Sequence, residues 1–326
     1  MAQFDLPLEQ LQTHRSGTPK PADFDEFWAA TLTEARSFPI DATFTDYDAG
    51  LDELVVQDVR FSGFAGDRIH GWFLAPKHAT GPLPVVVTYL GYGGGRGLPG
   101  EWTEWPSAGF AHLVVDSRGQ GSGHRVGSTP DGPFTGPHAG GVLTLGIESP
   151  QTYYYRRLYT DAVRAVDAIL EHPLIDPTRV TIAGNSQGGA ITLAVAGLHE
   201  APIAAMADVT FMSDIHRAIR ITNDYPYAEL KQWLAIHHGE ERSRAEATVN
   251  YFDVTNFTPR ATVPALFSVA LMDTICPPST VYAAYNAYAG PREIQVYEFN
   301  GHEHGRAYQA AVQRRWLKQR LEQLGE

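Results

Sequence analysis

The chain has 326 residues, of which 43% are hydrophobic and 19% charged, so it can bury the core of an enzyme-sized globular protein. Its formal net charge of -12 and its scattered Lys and Arg residues argue against a nucleic-acid partner, because phosphate binding needs clustered positive charge. The single cysteine, Cys276, excludes an intrachain disulfide.

The N-terminus and the hydropathy of the chain favour a cytoplasmic location. Residues 1–9 lack the basic start and the apolar stretch of a secretory signal. The apolar runs are all shorter than the length that spans a bilayer. We therefore expect a cytoplasmic protein without a membrane partner.

The first predicted elements are a helix and a β-hairpin. Pro21 and Asp23 precede a run with apolar residues three to four apart, which is typical of a capped amphipathic helix. We expect residues 1–50 to form a helical extension that packs on the main domain. Residues 54–61 and 69–74 are rich in β-branched and aromatic residues, and the glycines between them predict an antiparallel hairpin.

The rest of the chain predicts an α/β fold, with a mostly parallel central sheet and helices on both faces. Short apolar strands alternate there with longer helical stretches, as in sheets that are covered on both sides. We place the strands and helices, in chain order, at residues 85–89, 112–116, 158–170 (helix), 180–183, 190–198 (helix), 204–207, 264–269 and 293–297.

Two stretches interrupt this alternation. Residues 119–150 are rich in Gly, Pro and Ser and predict a long ordered loop, and loops of that size are usually functional. Residues 213–257 contain a string of short helical patterns and predict a lid-like insertion over the active site. We expect the whole chain to form a single domain.

The strongest functional motif is the Gly-x-Ser-x-Gly pattern of residues 184–188, which directly follows the strand at 180–183. This is the nucleophile elbow of the α/β-hydrolase fold, in which a tight strand-to-helix turn presents a reactive serine, here Ser186. The alternative is a glycine-rich turn whose serine merely caps a helix. The preceding strand and the following helix favour the elbow.

A serine nucleophile needs a base, and the base needs a carboxylate that orients it. Asp273 lies just past the strand at 264–269, whereas Asp253 has a helical or lid-like context that suits the role less. His302 and His304 both follow the last strand, and we choose His302 because Gly301 can turn the chain inward before it. We expect His304 to be a surface or capping residue. The spacing of the other histidines predicts neither a metal nor a cofactor.

The oxyanion of the reaction needs backbone N–H donors. The first is expected from Gln187, the residue after the nucleophile, and the second from the loop after the strand at 85–89. That loop, residues 90–97, contains five glycines, and Tyr92 is its best candidate donor. The same composition also suits a flexible turn without a catalytic part.

Further pieces of the chain extend the pattern beyond the triad. They are residues 6–11, 23–28, 91–92, 118–121, 152–156, 184–189, 251–253, 273 with 277–281, and 301–303. In this order they resemble the acetyl xylan esterase and cephalosporin-C deacetylase family, carbohydrate esterase family seven, over nearly the whole chain. The most specific pieces are Arg-Gly-Gln at 118–120, the serine elbow and Gly-His-Glu at 301–303.

The resemblance implies roles for individual residues. It implies that Ser186, Asp273 and His302 form a catalytic triad. It also implies that Tyr92 and Gln187 supply the oxyanion N–H groups. The Arg118–Gln120 piece is implied to be structural, with Arg118 tying loops near the site and Gln120 supporting it.

The resemblance also implies an activity and an assembly. The activity is deacetylation of small O-acetylated substrates, such as acetylated xylo-oligosaccharides and cephalosporin C, and the assembly is a homohexamer with active sites facing an inner cavity. The chain departs from the family pattern at residues 90–93 and 208–212, which could alter the acyl pocket. The alternatives are a general short-chain carboxylesterase with another acyl preference and a catalytically silent binding protein. A peptidase of the same fold would normally carry a further large domain, for which this chain is too short, and Ser186 excludes a dehalogenase or an epoxide hydrolase, which need an aspartate at the elbow.

Overall fold

The computed structural model describes residues 3–132 and 135–324. These residues form one nine-stranded sheet in the order β1-β2-β3-β5-β4-β6-β7-β8-β9. The strands are β1 Thr43–Asp46, β2 Leu54–Ser62, β3 Arg68–Pro76, β4 Leu83–Tyr89, β5 Ala111–Val115, β6 Ile175–Asn185, β7 Pro202–Asp208, β8 Ala265–Ala270 and β9 Arg292–Tyr297.

The helices follow the predicted alternation with the strands. They are α1 Leu8–Leu11, α2 Phe24–Arg36, α3 Glu104–Ser107, α4 Tyr154–Ile169, α5 Gln187–Leu198, α6 Ile215–Ile221, α7 Tyr227–Ile236, α8 Glu240–Asn250, α9 Pro278–Ala287 and α10 Ala307–Leu324. None of these described helices is both long enough and apolar enough to cross a membrane.

The strand pairing confirms the predicted sheet. Strands β2 and β3 form an antiparallel hairpin in which Asp58 pairs with Trp72. From β5 across β4 to β9 every neighbouring pair is parallel. The eight strands predicted from the sequence are all present. The prediction missed β1, which pairs antiparallel with β2 at the sheet edge.

The core lies on both faces of the sheet, as the continuous apolar strands predict. In β4, the alternate residues Val85 and Val87 belong to the large cluster beneath α4 and α5, whereas Val86 belongs to a smaller cluster with Trp105 and Trp316. Helices α3 and α10 supply those two tryptophans. Because side chains alternate along a strand, one strand contributes to two cores.

The N-terminal extension packs firmly on the main body of the chain. Trp28 of α2 is fully buried and stacks on Tyr159 of α4, with ring centroids 6.0 Å apart. Its indole N–H donates a hydrogen bond to the Tyr251 carbonyl at 3.0 Å. The extension is therefore held against both α4 and the end of the insertion. The single domain expected from the sequence stays a prediction.

The two interrupting stretches have the predicted local structure. Residues 119–150 form a loop that contains one short 3₁₀ turn at Val142–Thr144, and residues 133 and 134 lie outside the described part of the loop. Residues 213–257 form α6, α7 and α8, joined by short turns. Contacts between α7 and the Val142–Thr144 turn bring these two stretches together.

Candidate active site

The predicted nucleophile lies in a strained turn between β6 and α5. Ser186 has φ 56° and ψ -119°, a conformation that residues with a Cβ rarely adopt. Its N–H donates to the Asp208 carbonyl at 2.9 Å, and its carbonyl accepts a hydrogen bond from the Phe211 N–H at 3.1 Å. These hydrogen bonds with Asp208 and Phe211 hold the strained turn in place at the carboxyl end of the sheet.

The glycines of the motif make this turn possible because they remove side chains where backbones approach. A Cβ on Gly188 would lie 2.1 Å from the Tyr89 carbonyl oxygen, and a Cβ on Gly184 would lie 2.4 Å from the Gly188 carbonyl carbon. Real Cβ atoms essentially never come that close to backbone atoms. The motif is therefore required by the packing of β4, β6 and α5 around the serine.

The predicted base and carboxylate meet, although they come from two separate loops. His302 Nδ1 lies 2.9 Å from Asp273 Oδ2. Asp273 is fully buried, and its Oδ1 accepts hydrogen bonds from the N–H groups of Ile275 at 2.8 Å and Cys276 at 3.0 Å. The carboxylate is thus fixed by its own turn, and its second oxygen is left to orient the imidazole.

The buried thiol of Cys276 lies beside the Asp273 and His302 pair, which was not predicted from the sequence. Its Sγ, an Asp273 oxygen and a His302 nitrogen all lie within 4.8 Å of one another. Burial, and then the Asp273 charge, raise the pKa of the Cys276 thiol well above its ordinary value. The thiol therefore stays protonated and lies next to Asp273 and His302.

Asp273, Cys276 and His302 together are a group of described residues whose ligand atoms are close enough to hold a metal ion. A protonated thiol is a poor ligand, because metals bind the thiolate. The hydrogen bond between Asp273 and His302 already uses one oxygen and one nitrogen of the set. The donor chemistry therefore suits proton transfer better than metal binding, and the expectation of no metal or cofactor stays a prediction.

Both predicted oxyanion donors are available. Among the described residues, none accepts a hydrogen bond from the backbone N–H of Tyr92 or of Gln187. Gln187 is the first residue of α5, where the N–H has no partner within the helix and the helix dipole favours negative charge. Tyr92 and Ser186 line the same cavity. The two N–H groups are therefore unpaired among the described residues, and their use as oxyanion donors stays a prediction.

Gln120 connects the segments that carry these two donors. Its Oε1 accepts a hydrogen bond from the Gly93 N–H at 2.6 Å, and its Nε2 donates to the Gln187 Oε1 at 3.0 Å. The Gln187 Nε2 in turn donates to the Leu90 carbonyl at 3.2 Å. The resemblance implied only a supporting role for Gln120. The structure places it between the loop of Tyr92 and the first turn of α5.

Arg118 is fully buried and lies in a cluster of carboxylates, as its implied structural role requires. Its Nε and Nη2 bind the two oxygens of Asp161 in α4 at 2.5 and 2.8 Å. Its Nη1 contacts Asp67 at 3.0 Å and Asp131 at 3.3 Å. The guanidinium therefore ties the β2–β3 turn and the long loop to α4. Burial raises the pKa of Asp161 despite the neighbouring Arg118.

The rejected candidates for the triad, His304 and Asp253, lie near other groups. His304 Nδ1 lies 3.8 Å from the carboxylate of Asp208 and has no hydrogen-bond partner among the described residues. Asp253 is buried and accepts hydrogen bonds from the N–H groups of Ile215 at 2.7 Å and Thr255 at 3.0 Å. His304 is partly buried and precedes α10. Among the described residues, neither side chain is hydrogen-bonded to Asp273 or His302.

Three of the predicted site residues, Tyr92, Ser186 and His302, line a cavity of about 420 Å³ at the carboxyl end of the parallel strands, whereas Asp273 and Gln187 lie behind its lining. Its lining joins residues from the elbow, the two predicted loops and the insertion: Gly91, Tyr92, His124, Arg125, Asn185, Ser186, Tyr225, Pro226, Ile275 and His302. His124, Arg125 and Tyr225 were not among the site residues predicted from the sequence. A ligand-sized cavity beside polar side chains and free N–H donors is typical of an enzyme site.

The wall formed by His124 and Arg125 carries a single stable positive charge. Burial, and then the Arg125 charge, lower the pKa of His124. The Arg125 guanidinium pairs with Glu101 at 2.7 Å and lies 4.7 Å from the ring of Trp102. Neutral His124 therefore offers a hydrogen bond to a ligand, while Arg125 is held at the cavity by its two partners.

Comparisons with known proteins agree with the resemblance seen in the sequence. The acetyl xylan esterase (AXE1) family model matches residues 1–320. The chain is 30% identical over 291 residues to the acetyl esterase Axe7A of Xylanibacter ruminicola, covering 87% of this chain and 64% of that protein, less than two thirds of its length.

Two solved structures are similar over their full length. The acetyl xylan esterase from a Paenibacillus species is 37% identical, with a TM-score of 0.89, 96% of this chain covered and 99% of that chain covered. Acetyl xylan esterase 1 from a Thermoanaerobacterium species is 30% identical, with a TM-score of 0.87 and coverage of 97% and 99%. These matches confirm the predicted α/β-hydrolase fold. The chain belongs to the acetyl xylan esterase family of serine carboxylic ester hydrolases.

Proposed function

We propose that this protein is a serine esterase that removes acetyl groups from small O-acetylated substrates, such as acetylated xylo-oligosaccharides. The observation that carries the proposal is the 2.9 Å contact between Asp273 and His302 at the cavity that Ser186 lines. Membership of the acetyl xylan esterase family supports the choice of an acetyl ester.

The proposed reaction is acyl transfer through the serine. His302 accepts the hydroxyl proton of Ser186 while the oxygen attacks the acetyl carbonyl carbon. The Tyr92 and Gln187 N–H groups hold the oxyanion that forms. The alcohol leaves with the proton from His302, and water then hydrolyses the acetyl-enzyme by the same steps.

The buried carboxylate of Asp273 has two tasks in this sequence of steps. It holds the imidazole in the tautomer whose Nε2 accepts the proton, and it offsets the positive charge that the imidazole then carries. Both tasks need the carboxylate to stay in place. Its hydrogen bonds from the Ile275 and Cys276 N–H groups supply that rigidity.

The alcohol part of the substrate is proposed to face the outer wall of the cavity. Tyr225 is 59% exposed there and offers a ring on which a sugar face can pack. Arg125 and the neutral ring of His124 offer hydrogen bonds to hydroxyl groups. These polar groups favour a sugar alcohol over a long aliphatic one.

The test is a comparison of the parent with Ser186→Ala on a panel of esters. We expect the parent to hydrolyse p-nitrophenyl acetate and acetylated xylose and the variant to lose that activity. A series from acetate to octanoate separates an acetyl esterase from a general short-chain carboxylesterase. A parent that is inert to every ester would instead favour a silent binding protein.

Three further parts of the proposal come from the resemblance and the composition. Cephalosporin C is proposed as a second substrate, and its release of acetate can be measured in the same panel. A homohexamer is proposed as the assembly, and light scattering that gives a monomer at micromolar concentration would contradict it. The proposed cytoplasmic location can be checked by cell fractionation.

A further inference from the structure

The side chain of Tyr92 makes a set of hydrogen bonds that the proposed mechanism does not use. Its hydroxyl lies 2.9 and 2.7 Å from the two carboxylate oxygens of Glu229 and donates to this carboxylate. The same hydroxyl accepts hydrogen bonds from the N–H groups of Val142 at 3.0 Å and Leu143 at 3.3 Å. Its donor and both its acceptor positions are therefore used.

Glu229 also binds the long loop directly. Its Oε1 accepts a hydrogen bond from the Gly141 N–H at 2.9 Å, and its Oε2 accepts one from the Leu143 N–H at 3.3 Å. We call Tyr92, Glu229 and residues 141–143 the Glu229 cluster. It joins the loop after β4, the loop before α4 and helix α7 of the insertion.

The protonation of Tyr92 and the packing of its ring both stabilise the Glu229 cluster. Burial, and then the Glu229 charge, raise the pKa of the Tyr92 hydroxyl, so it is protonated at neutral pH and can donate to Glu229. Hydrogen bonds to a charged acceptor are shorter and stronger than those between neutral groups. The Tyr92 ring also packs against the buried Phe211 in an edge arrangement, with centroids 6.2 Å apart.

The cluster and Gln120 hold the residues around the predicted oxyanion donor through different atoms. Gln120 accepts a hydrogen bond from the Gly93 N–H, and the Gln187 side chain donates one to the Leu90 carbonyl. Glu229 accepts one from the Tyr92 hydroxyl. Backbone and side-chain contacts therefore both hold residues 90–93, and together they orient the Tyr92 N–H. Glu229 itself does not line the cavity.

We propose that Glu229 is a positioning residue, which holds Tyr92 so that its backbone N–H points at the substrate oxyanion. The proposal rests on the proposed esterase function and adds a residue from the insertion to it. Through Glu229 the insertion thereby takes part in transition-state binding, although Glu229 itself is not in the cavity lining. A displaced donor binds the oxyanion less well but leaves ground-state binding nearly unchanged, so the effect belongs in kcat.

The experiment is a double-mutant cycle on Glu229→Gln and Tyr92→Phe, with p-nitrophenyl acetate as substrate. Since losing one oxyanion donor outright costs about 10² to 10³ in kcat, a misplaced donor should cost about 10 to 100, with KM nearly unchanged. The double variant should be no slower than the slower single variant, because both remove the same interaction. A boronic acid that mimics the tetrahedral adduct should lose affinity in proportion to kcat.

The control variant is Glu246→Gln, which changes a glutamate of α8 that pairs with Arg242 at 3.1 Å. It should leave kcat and KM at the parent values. Tyr92→Phe removes a single oxygen and keeps the ring against Phe211, so it tests the proposal even where Glu229→Gln fails to fold. Circular dichroism melts identify such a folding failure.

Three outcomes would overturn the proposal: a parent-like kcat in Tyr92→Phe, a change in KM alone, or losses that add in the double variant. A lower melting temperature with unchanged kcat would also overturn it, since the cluster would then serve only stability. Failure of the proposed esterase function would be recognised separately, because Ser186→Ala would then be no less active than the parent.

Discussion

Replacing Asp273 by Asn is the sharpest test of the site, because the structure fixes how the new amide must lie. Asp273 Oδ1 accepts two backbone N–H groups, from Ile275 and Cys276, and only the oxygen of an Asn amide can replace it there. The NH₂ group is then forced to face His302 Nδ1. A donor at that position selects the tautomer whose Nε2 carries a proton, which cannot accept the serine proton.

The expected loss in kcat is about 10⁴-fold, or about 5.5 kcal/mol of transition-state stabilisation, as for the equivalent change in serine proteases. Steady-state and pre-steady-state rates on p-nitrophenyl acetate would measure it, and an alkaline buffer should not restore it. Asp253→Asn is the matched control, because that buried carboxylate accepts backbone N–H groups but faces neither histidine of the site. If Asp273→Asn kept more than about a tenth of the parent kcat, the assignment would be wrong.

Three further predictions test the choice of the base, the buried Arg118 and the buried thiol of Cys276. His302→Ala should lower kcat by about 10⁴-fold or more, whereas His304→Ala should stay active because its ring faces another carboxylate; the opposite order on p-nitrophenyl acetate would contradict the choice of base. Arg118→Met should cost about 3 to 5 kcal/mol by leaving Asp161 buried and unpaired, which lowers Tm by roughly 4 to 7 °C at neutral pH. The Arg118 charge opposes the burial that raises the pKa of Asp161, so Arg118→Met should raise that pKa further, and the variant should bind the proton at a higher pH than the parent. The Tm deficit in calorimetry should therefore shrink as the pH falls, and a deficit that does not change with pH would refute this. The Cys276 thiol should not react with Ellman's reagent in the native protein but should react once per chain in guanidinium, and rapid native labelling would contradict its burial.

The sheet was predictable because its physical cause lies in the local pattern. Strands buried on both faces must be apolar along their whole length, and β5 and β8 satisfy this at every or nearly every position. Strand β1 was missed for the converse reason. Its four residues, Thr43–Asp46, are mostly exposed and pair only at the sheet edge, so burial imposes no pattern on them.

The triad candidates were predictable from chain order, since each follows a strand that ends at the same edge of the sheet. Cys276 was missed, although a signal existed. Asp273 begins a tight turn in which its own carboxylate accepts the N–H of the residue three positions later, and that residue is Cys276. A turn of this kind places the third residue beside the carboxylate, so the spacing alone could have brought the thiol into the site.

Contacts between distant polar side chains are what the sequence could not supply. Glu229 lies 137 residues from Tyr92 in the chain. A glutamate on a helix ordinarily faces solvent, so helical periodicity predicts an exposed side chain here and no contact with Tyr92. The glycine-rich loop after β4 likewise favours a flexible turn when it is considered alone. In the fold, side chains from three other segments hold that loop, namely Gln120, Gln187 and Glu229. Glycine there permits the backbone to approach the substrate, and the surrounding polar contacts remove the freedom that glycine would otherwise leave.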